Sequence, residues 1–314
     1  MMYTFWYNIW MLEKHNYSEK TWIRLINPTT EELAGLAKEY NLNPQAVQDL
    51  GSPTPRQKIE TYDDFIYAVF HIPAYRHSHA KSHIQEIDFI IGQDHIITVQ
   101  YDTIDALQKF SKETEFKTLL GREEGVTPGL IFVEVLKALY SSVGDEISYM
   151  QDQLKSIEDN IFNGQERKMV TEISKVSRNL LDIKRTLAPQ KSHFERLLLI
   201  ASKARNKNFA QYIRSIYENG YLKIYEETKN SAELVIELRE TNNSLVSTKQ
   251  NEVMKNLTIL AFITFPLSLL AGIFGMNTVN TPILGNPNDF WYIFGFMVFA
   301  TFAMFLFFKF KKWL

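Results

Sequence analysis

The spacing of apolar positions changes twice along this chain. Up to about residue 125 they come in short runs bounded by turn residues. "TWIRLIN", "KIETYDDFIYAVFHIPAY", "HIQEIDFIIGQD" and "HIITVQYD" are rich in β-branched and aromatic residues and predict strands. "GQDH", Gly92 to His95, predicts a hairpin turn between the last two. After the first run come two helix starts: Thr29 or Thr30 ahead of Glu31 and Glu32, and Asn43 ahead of Pro44. The opening "MMYTFWYNIW" predicts a further strand. It lacks the basic flank of a secretory signal, and Glu13, Lys14 and His15 follow too soon for a long apolar region.

From Thr127 the spacing becomes helical. "TPGLIFVEVLKALYSSVGDEISYMQDQLKSIEDNIF" opens with a start signal and keeps its period for over thirty residues. "NGQER", Asn163 to Arg167, predicts a turn. A second long helix follows, with a kink expected at Pro189. A third begins near Phe209 and passes Pro266 with no stop before Gly275. That is roughly 65 residues, or about 100 Å of helix. A pattern this long points to a coiled coil, a membrane span or a stalk.

The second change removes the polar face altogether. Leu257 to Phe274 carries no charge over 18 residues, and Phe290 to Phe308 none over 19. Either run spans a hydrocarbon core of ~30 Å. Trp291 and Tyr292 at one end, with Trp313 at the other, suit interfacial belts. Lys249 and Lys255 precede the first span, and Lys309, Lys311 and Lys312 close the second. The connection, Gly275 to Asp289, has neither Lys nor Arg. The positive-inside rule then puts both termini in the cytoplasm and the short loop outside. The expected location is the inner or plasma membrane, with two passes.

Composition narrows the function. The 314 residues carry a formal net charge of −2, which argues against nucleic acid as a partner. With no cysteine, disulfides, thiolate zinc sites and cysteine nucleophiles are excluded. No Gly-rich phosphate loop, catalytic triad or HExxH occurs, so neither an enzyme nor a cofactor is expected. Nothing here would hydrolyse ATP.

One face of the third helix is polar or small. Asn251, Met254, Thr258, Ala261, Phe265, Ser268 and Gly272 recur at steps of three and four, and Glu240, Ser244 and Ser247 extend the face backwards. Small residues also serve close helix packing in membranes, so packing and pore lining both fit. Two spans cannot enclose a water path, and a pore would need several chains around an axis. The face ends at "GMN", Gly275, Met276 and Asn277. Gly275 with Asn277 is by itself only a helix end.

Taken together, these segments resemble the CorA family of magnesium channels. "NEVMKNLTILAFITFPLSLLAGIFGMN", Asn251 to Asn277, is similar to the family's pore helix, and "FKFKKWL" to its lysine-rich tail. "LLDIKRTLAPQKSHFERL" resembles its cytoplasmic helices, and "KIETYDDFIYAVFHIP" and "HIITV" its N-terminal domain. The resemblance implies an α+β membrane protein, a homopentamer in the lipid bilayer. An N-terminal α/β domain, a long stalk and pore helix and two C-terminal spans would make up each chain. Residues 1–125 would be the cytoplasmic α/β domain and 126–208 a helical hairpin. The stalk helix would occupy 209–275, with its span at about 255–275. An outer loop, 276–289, the second span, 290–308, and a basic tail, 309–314, complete the division.

By the same resemblance, rings of Gly275, Met276 and Asn277 form the selectivity filter for a hydrated Mg2+ ion, with Co2+ or Ni2+ as further cargo. Gly272, Ser268, Phe265, Leu257, Met254, Asn251 and Glu240 line the path, and Lys309, Lys311 and Lys312 form a basic ring. Mg2+ is both the transported ion and a regulatory ligand. Three departures from the family pattern stand out. The outer loop "TVNTPILGNPNDFW" has Asp289 as its one carboxylate. Phe265 stands where Met is familiar. Ser215 stands where magnesium-sensing members carry Asp, leaving Glu218 as the nearby candidate for a regulatory metal. Rival readings are a proton-coupled zinc transporter of the same superfamily and a membrane-anchored sensor or scaffold. His77, His79 and His83 are either a transition-metal sensing site or a surface loop with scattered imidazoles.

Overall fold

The first third of the chain holds two strands, two helices and then four more strands, in keeping with its short apolar runs. The computed structural model describes residues 11–17, 19–74, 84–112, 126–203, 207–276, 285, 287–311 and 313. Strands β1 (Met11–Tyr17), β2 (Lys20–Ile26), β3 (Lys58–Thr61), β4 (Ile66–Pro73), β5 (Ile84–Ile91) and β6 (His95–Gln100) form one sheet, ordered β1-β2-β6-β5-β4-β3. β2 pairs with β6 in parallel and every other pairing is antiparallel. The predicted turn at Gly92–His95 joins β5 to β6, its Gly92 N–H donating to the His95 carbonyl at 2.9 Å.

The opening "MMYTFWYNIW" lies outside the described residues, and β1 falls on the polar segment after it. Leu12, Lys14 and Asn16 are exposed while Glu13 and His15 are half-buried. An outermost strand keeps charge on its free side, which blocks pairing with other chains. Its inward Glu13 lies 3.3 Å from buried Arg24 of β2.

Both sheet faces are covered. On one, Ile23, Leu25, Tyr67, Val69, Ile90, Ile97 and Val99 meet Leu33 and Leu36 of α1 (Thr30–Glu39) and Ala46 of α2 (Pro44–Asp49). Thr29 and Glu32 close a reciprocal capping box on α1, and the Asn43 side chain caps α2 ahead of Pro44. A short helix, α3 (Asp105–Lys112), follows the sheet. On the other face lies α4 (Pro128–Phe162), whose Phe132 meets Phe89 edge-on at 4.9 Å. Gly164, at φ 85°, makes the expected turn into α5 (Glu166–Leu187). Pro189 does more than kink the next helix. It ends α5, and α6 (Gln190–Lys203) starts after the Ala188–Pro189 turn, because proline offers no N–H to continue the ladder.

Then α7 (Lys207–Ile216) leads through a π-helical turn, Tyr217–Leu222, into α8 (Lys223–Phe274), and α9 runs from Asp289 to Phe310. The chain divides into two compact units, Met1–Arg239 and Glu240–Leu314, the boundary falling within α8.

Two buried polar groups organise the first unit. The Gln190 amide, fully buried, accepts from the Tyr140 hydroxyl at 2.6 Å. It donates to the Gln57 carbonyl oxygen at 2.9 Å and to the His71 backbone oxygen at 2.8 Å. One side chain thereby ties α4, α6 and the β3–β4 edge together. On the opposite sheet face, buried Asp88 accepts from the hydroxyls of Tyr67 at 2.9 Å and Tyr101 at 3.1 Å. Burial, reinforced by Glu86 two residues along the strand, pushes the Asp88 carboxyl well above the carboxylate range.

The raised carboxyl gives a test with a definite sign. The unfolded chain loses this proton near the ordinary carboxylate value, while the folded chain keeps it. Stability contributed by Asp88 should therefore fall as pH rises from that value toward the raised folded pKa. Asp88→Asn, which keeps an acceptor and cannot ionise, should flatten the slope. Asp88→Ala, which strands two hydroxyls, should cost about 1–3 kcal/mol. Thermal melts of the three proteins across pH check this, and an unchanged slope in the Asn variant would refute the buried-acid assignment.

Candidate functional site

The amide, hydroxyl and small side chains picked out by their spacing lie on one helix, α8. Backbone continuity holds through Pro266, where one ladder bond is lost. Thr258 and Thr264 hydroxyls donate back to the Met254 and Leu260 carbonyls at 2.8 and 2.9 Å, so these polar groups are satisfied inside an apolar span. Glu240, Asn251, Met254, Leu257, Phe265, Ser268 and Gly272 are all exposed, and Phe265 is 72% exposed. No atom of another element comes within 4 Å of where a Gly272 side chain would start. The stripe therefore has open space before it.

At its far end α8 closes with two bonds, Gly275 N–H to the Ala271 carbonyl at 3.0 Å and Met276 N–H to Ile273 at 3.3 Å. A β-carbon at Gly275 would stand 3.1 Å from the Ala271 oxygen, tighter than is usual. Met276 is 57% exposed. Asn277, the third member of the expected filter, lies outside the described residues, as do Lys312 and the three histidines His77, His79 and His83. Asp289 is already engaged. Its carboxylate accepts from the N–H groups of Phe290 at 2.6 Å and Gly285 at 3.2 Å, at the positive end of α9. Lys309 and Lys311 are exposed at the other end of that helix.

Both apolar helices pass for membrane spans by length and hydropathy. Among the described residues of the second unit's spans, Ile259 and Phe308 alone are buried. Phe262 meets Phe308 edge-on at 6.4 Å. Nearly all the remaining apolar surface is free for lipid or for other copies.

Ser215 and Glu218, the candidate regulatory positions, are exposed and flank the start of the π-helical turn. A cleft of about 470 Å³ opens there between α4 and the α7–α8 junction. Asp145, Ser215, Asn219, Lys223 and Glu227 help to line it, and Glu218 does not. Among the described residues, no cluster of three or more His, Asp or Glu side chains has metal-binding geometry.

The π turn itself is absent from the sequence expectation. Tyr217, Tyr221 and Tyr225 stack at 5.8 and 5.7 Å, and Tyr140, held by Gln190, meets Tyr221 at 6.2 Å. Burial and the two flanking tyrosines push the Tyr221 hydroxyl up to about 12. The spacing of tyrosines every four residues, with Gly220 among them, was the available signal. A β-carbon at Gly220 would lie 2.6 Å from Ile216 Cδ1, so the buried Ile216 side chain would have to shift, and 3.5 Å from the Tyr140 ring, an ordinary contact. Gly220→Ala should lower stability by about 1–3 kcal/mol through overpacking. An unaltered thermal melt would show that the turn tolerates a side chain.

Comparison with known proteins gives a consistent picture. The sequence profile described as "CorA-like Mg2+ transporter protein" matches residues 18–312. The cobalt/magnesium transport protein CorA of Thermotoga maritima is 22% identical over 298 residues, covering 95% of this chain and 84% of its own. The CorA of Methanocaldococcus jannaschii is 23% identical over 301 residues, 93% of this chain and 91% of its own. The solved complete structure of that archaeal magnesium transporter superposes with a TM-score of 0.79 at 21% identity, over 94% of this chain and 92% of that one. At such identity the structural likeness carries the fold alone.

Proposed function

The chain belongs to the CorA-like Mg2+ transporter protein family, divalent-cation transporters with two membrane helices, and from that premise we propose that it imports Mg2+ as a passive homopentameric channel. The carrying observation is the exposed stripe on α8, from Glu240 to Gly272, ending at Gly275. One chain gives this stripe no partner, and five copies around an axis would turn it toward a shared path. Both termini then face the cytoplasm, on the lysine side of the spans.

Five Gly275-Met276-Asn277 ends make the outer mouth. Mg2+ holds its waters reluctantly and demands near-octahedral geometry. Neutral amide and carbonyl oxygens accept hydrogen bonds from those waters without stripping them. Having no charge, they bind weakly enough to release the ion inward, as conduction requires. Met254, Leu257 and Phe265 form apolar constrictions that close by dewetting. Glu240 supplies a carboxylate ring at the inner end. The membrane potential drives the ion at ~2.3 kcal/mol per charge per 100 mV, about twice that for a divalent ion. Because the Asp289 carboxylate is already engaged by the Gly285 and Phe290 N–H groups, it adds little to cation concentration at the mouth.

The test is flux in proteoliposomes with Mg2+, Co2+, Ni2+ and Zn2+, with and without a pH gradient. Potential-driven Mg2+ uptake that ignores the pH gradient is expected. Zn2+ uptake that requires it would replace this reading with proton-coupled zinc transport. Asn277→Ala should abolish Mg2+ uptake while cross-linking still traps pentamers. Uptake near the normal rate would remove Asn277 from the filter.

Regulation by internal Mg2+ should be weak, because Ser215 brings no charge for a hard cation and Glu218 is the acid beside it. Ser215→Asp is expected to shift closure to lower cytoplasmic Mg2+. Patch-clamp current against internal Mg2+ measures this. No shift in the Asp variant would place the regulatory site elsewhere.

A further inference from the structure

The lysine-bearing end of the two spans, where the family resemblance implies a basic ring, has a built arrangement of its own. Where α8 and α9 meet, Phe308 is buried and turns edge-on to Phe262. Trp313 donates its backbone N–H to the Phe308 carbonyl at 3.0 Å, and its ring stacks on Phe308 at 6.0 Å and 25°. This contact sets the position of Lys309 and Lys311, both exposed, with Phe310 between them at 88% exposure.

Lys255 comes to nearly the same depth from the other helix. It lies seven residues before Phe262, and Lys311 lies three beyond Phe308. On antiparallel helices these are offsets of about 10 and 4.5 Å in the same direction, so the two backbone positions lie about one helical turn apart in depth. Glu252 is the one carboxylate within a turn of Lys255 on α8. Among the described residues, Lys255, Lys309 and Lys311 form no ion pair. A helix C-terminus attracts cations, which accounts for Lys309 and Lys311. Lys255 stands in mid-helix, where the dipole does not act; its place is the one the positive-inside rule gives, at the anionic cytoplasmic leaflet.

We propose that this end of the spans binds the headgroup of an anionic phospholipid. Lys255, Lys309 and Lys311 face its phosphate oxygens, while Phe310 and Trp313 sit at the headgroup level. The charge is complementary to a phosphate diester that bears no balancing cation. A zwitterionic headgroup would bring its own ammonium toward three others. The proposal rests on the two helices spanning a membrane and not on which ion is carried.

The experiment uses the full chain with Trp291 replaced by Phe, in nanodiscs of phosphatidylcholine with or without phosphatidylglycerol. Quenching of tryptophan fluorescence is compared for brominated phosphatidylglycerol and brominated phosphatidylcholine. Brominated phosphatidylglycerol is expected to quench more at equal mole fraction, with the excess lost on Trp313→Phe. Native mass spectrometry should show retained phosphatidylglycerol, weakened about fivefold for each lysine removed in Lys255→Gln or Lys309→Gln. Equal quenching by both lipids, or retention unaffected by either substitution, would overturn the proposal. Displacement of the lipid by inorganic phosphate at matched ionic strength would overturn it too, since the site would then read free phosphate. If Lys309→Gln fails to assemble, Lys255→Gln alone decides.

Discussion

An amide group in hydrocarbon has no water to bond, and that constraint shapes everything in the second unit. Each backbone N–H must find a carbonyl within its own helix, so the span cannot be interrupted. α8 obeys this through Pro266, and threonine hydroxyls donate to carbonyls on the turn before them rather than remain unpaired. Once the backbone is satisfied internally, the side chains are free to be small, amide or hydroxyl along one stripe. An exposed stripe on a satisfied helix is a surface awaiting copies of itself, and the proposed pore is what such copies would enclose.

The first unit meets the same polar requirement by other means. Its sheet is covered on both faces, so buried polar groups have to be paired within the protein. Gln190 bonds partners from three separate segments, and burial pushes the Asp88 carboxyl up between two tyrosines. Tyr140 links that first cluster to the π-helical turn, where it meets Tyr221 of the tyrosine ladder. A wider helical turn costs hydrogen-bond geometry, and π turns recur at functional sites for that reason. Here the turn lies directly before α8 and beside the cleft that holds Ser215.

Periodicity alone determined much of this protein. Strand runs, the hairpin at Gly92, the caps at Thr29 and Asn43 and the unbroken helix to Gly275 were all legible, because each depends on neighbours within a few residues. The two spans were legible for a stronger reason: hydrocarbon demands about twenty apolar residues in a row, and soluble cores do not. Family resemblance, carried by the "NEVMK…GMN" segment, pointed to the transporter family that the sequence profile then matched.

Tertiary structure decided what local pattern cannot encode. Pro189 looked like a kink and proved to be a boundary, because whether a helix resumes in line depends on what its next turn packs against. Nothing in "IDF" announces that the Asp88 carboxyl is pushed up, since the shift comes from burial by distant segments and from Glu86, while the Tyr67 and Tyr101 hydroxyls act the other way. Gln57, Tyr140 and Gln190 are up to 133 residues apart, and only folding makes them partners. Apolar content is a property of a segment and can be read one residue at a time. Hydrogen-bond satisfaction and burial are properties of a place, and a place exists only once distant segments meet.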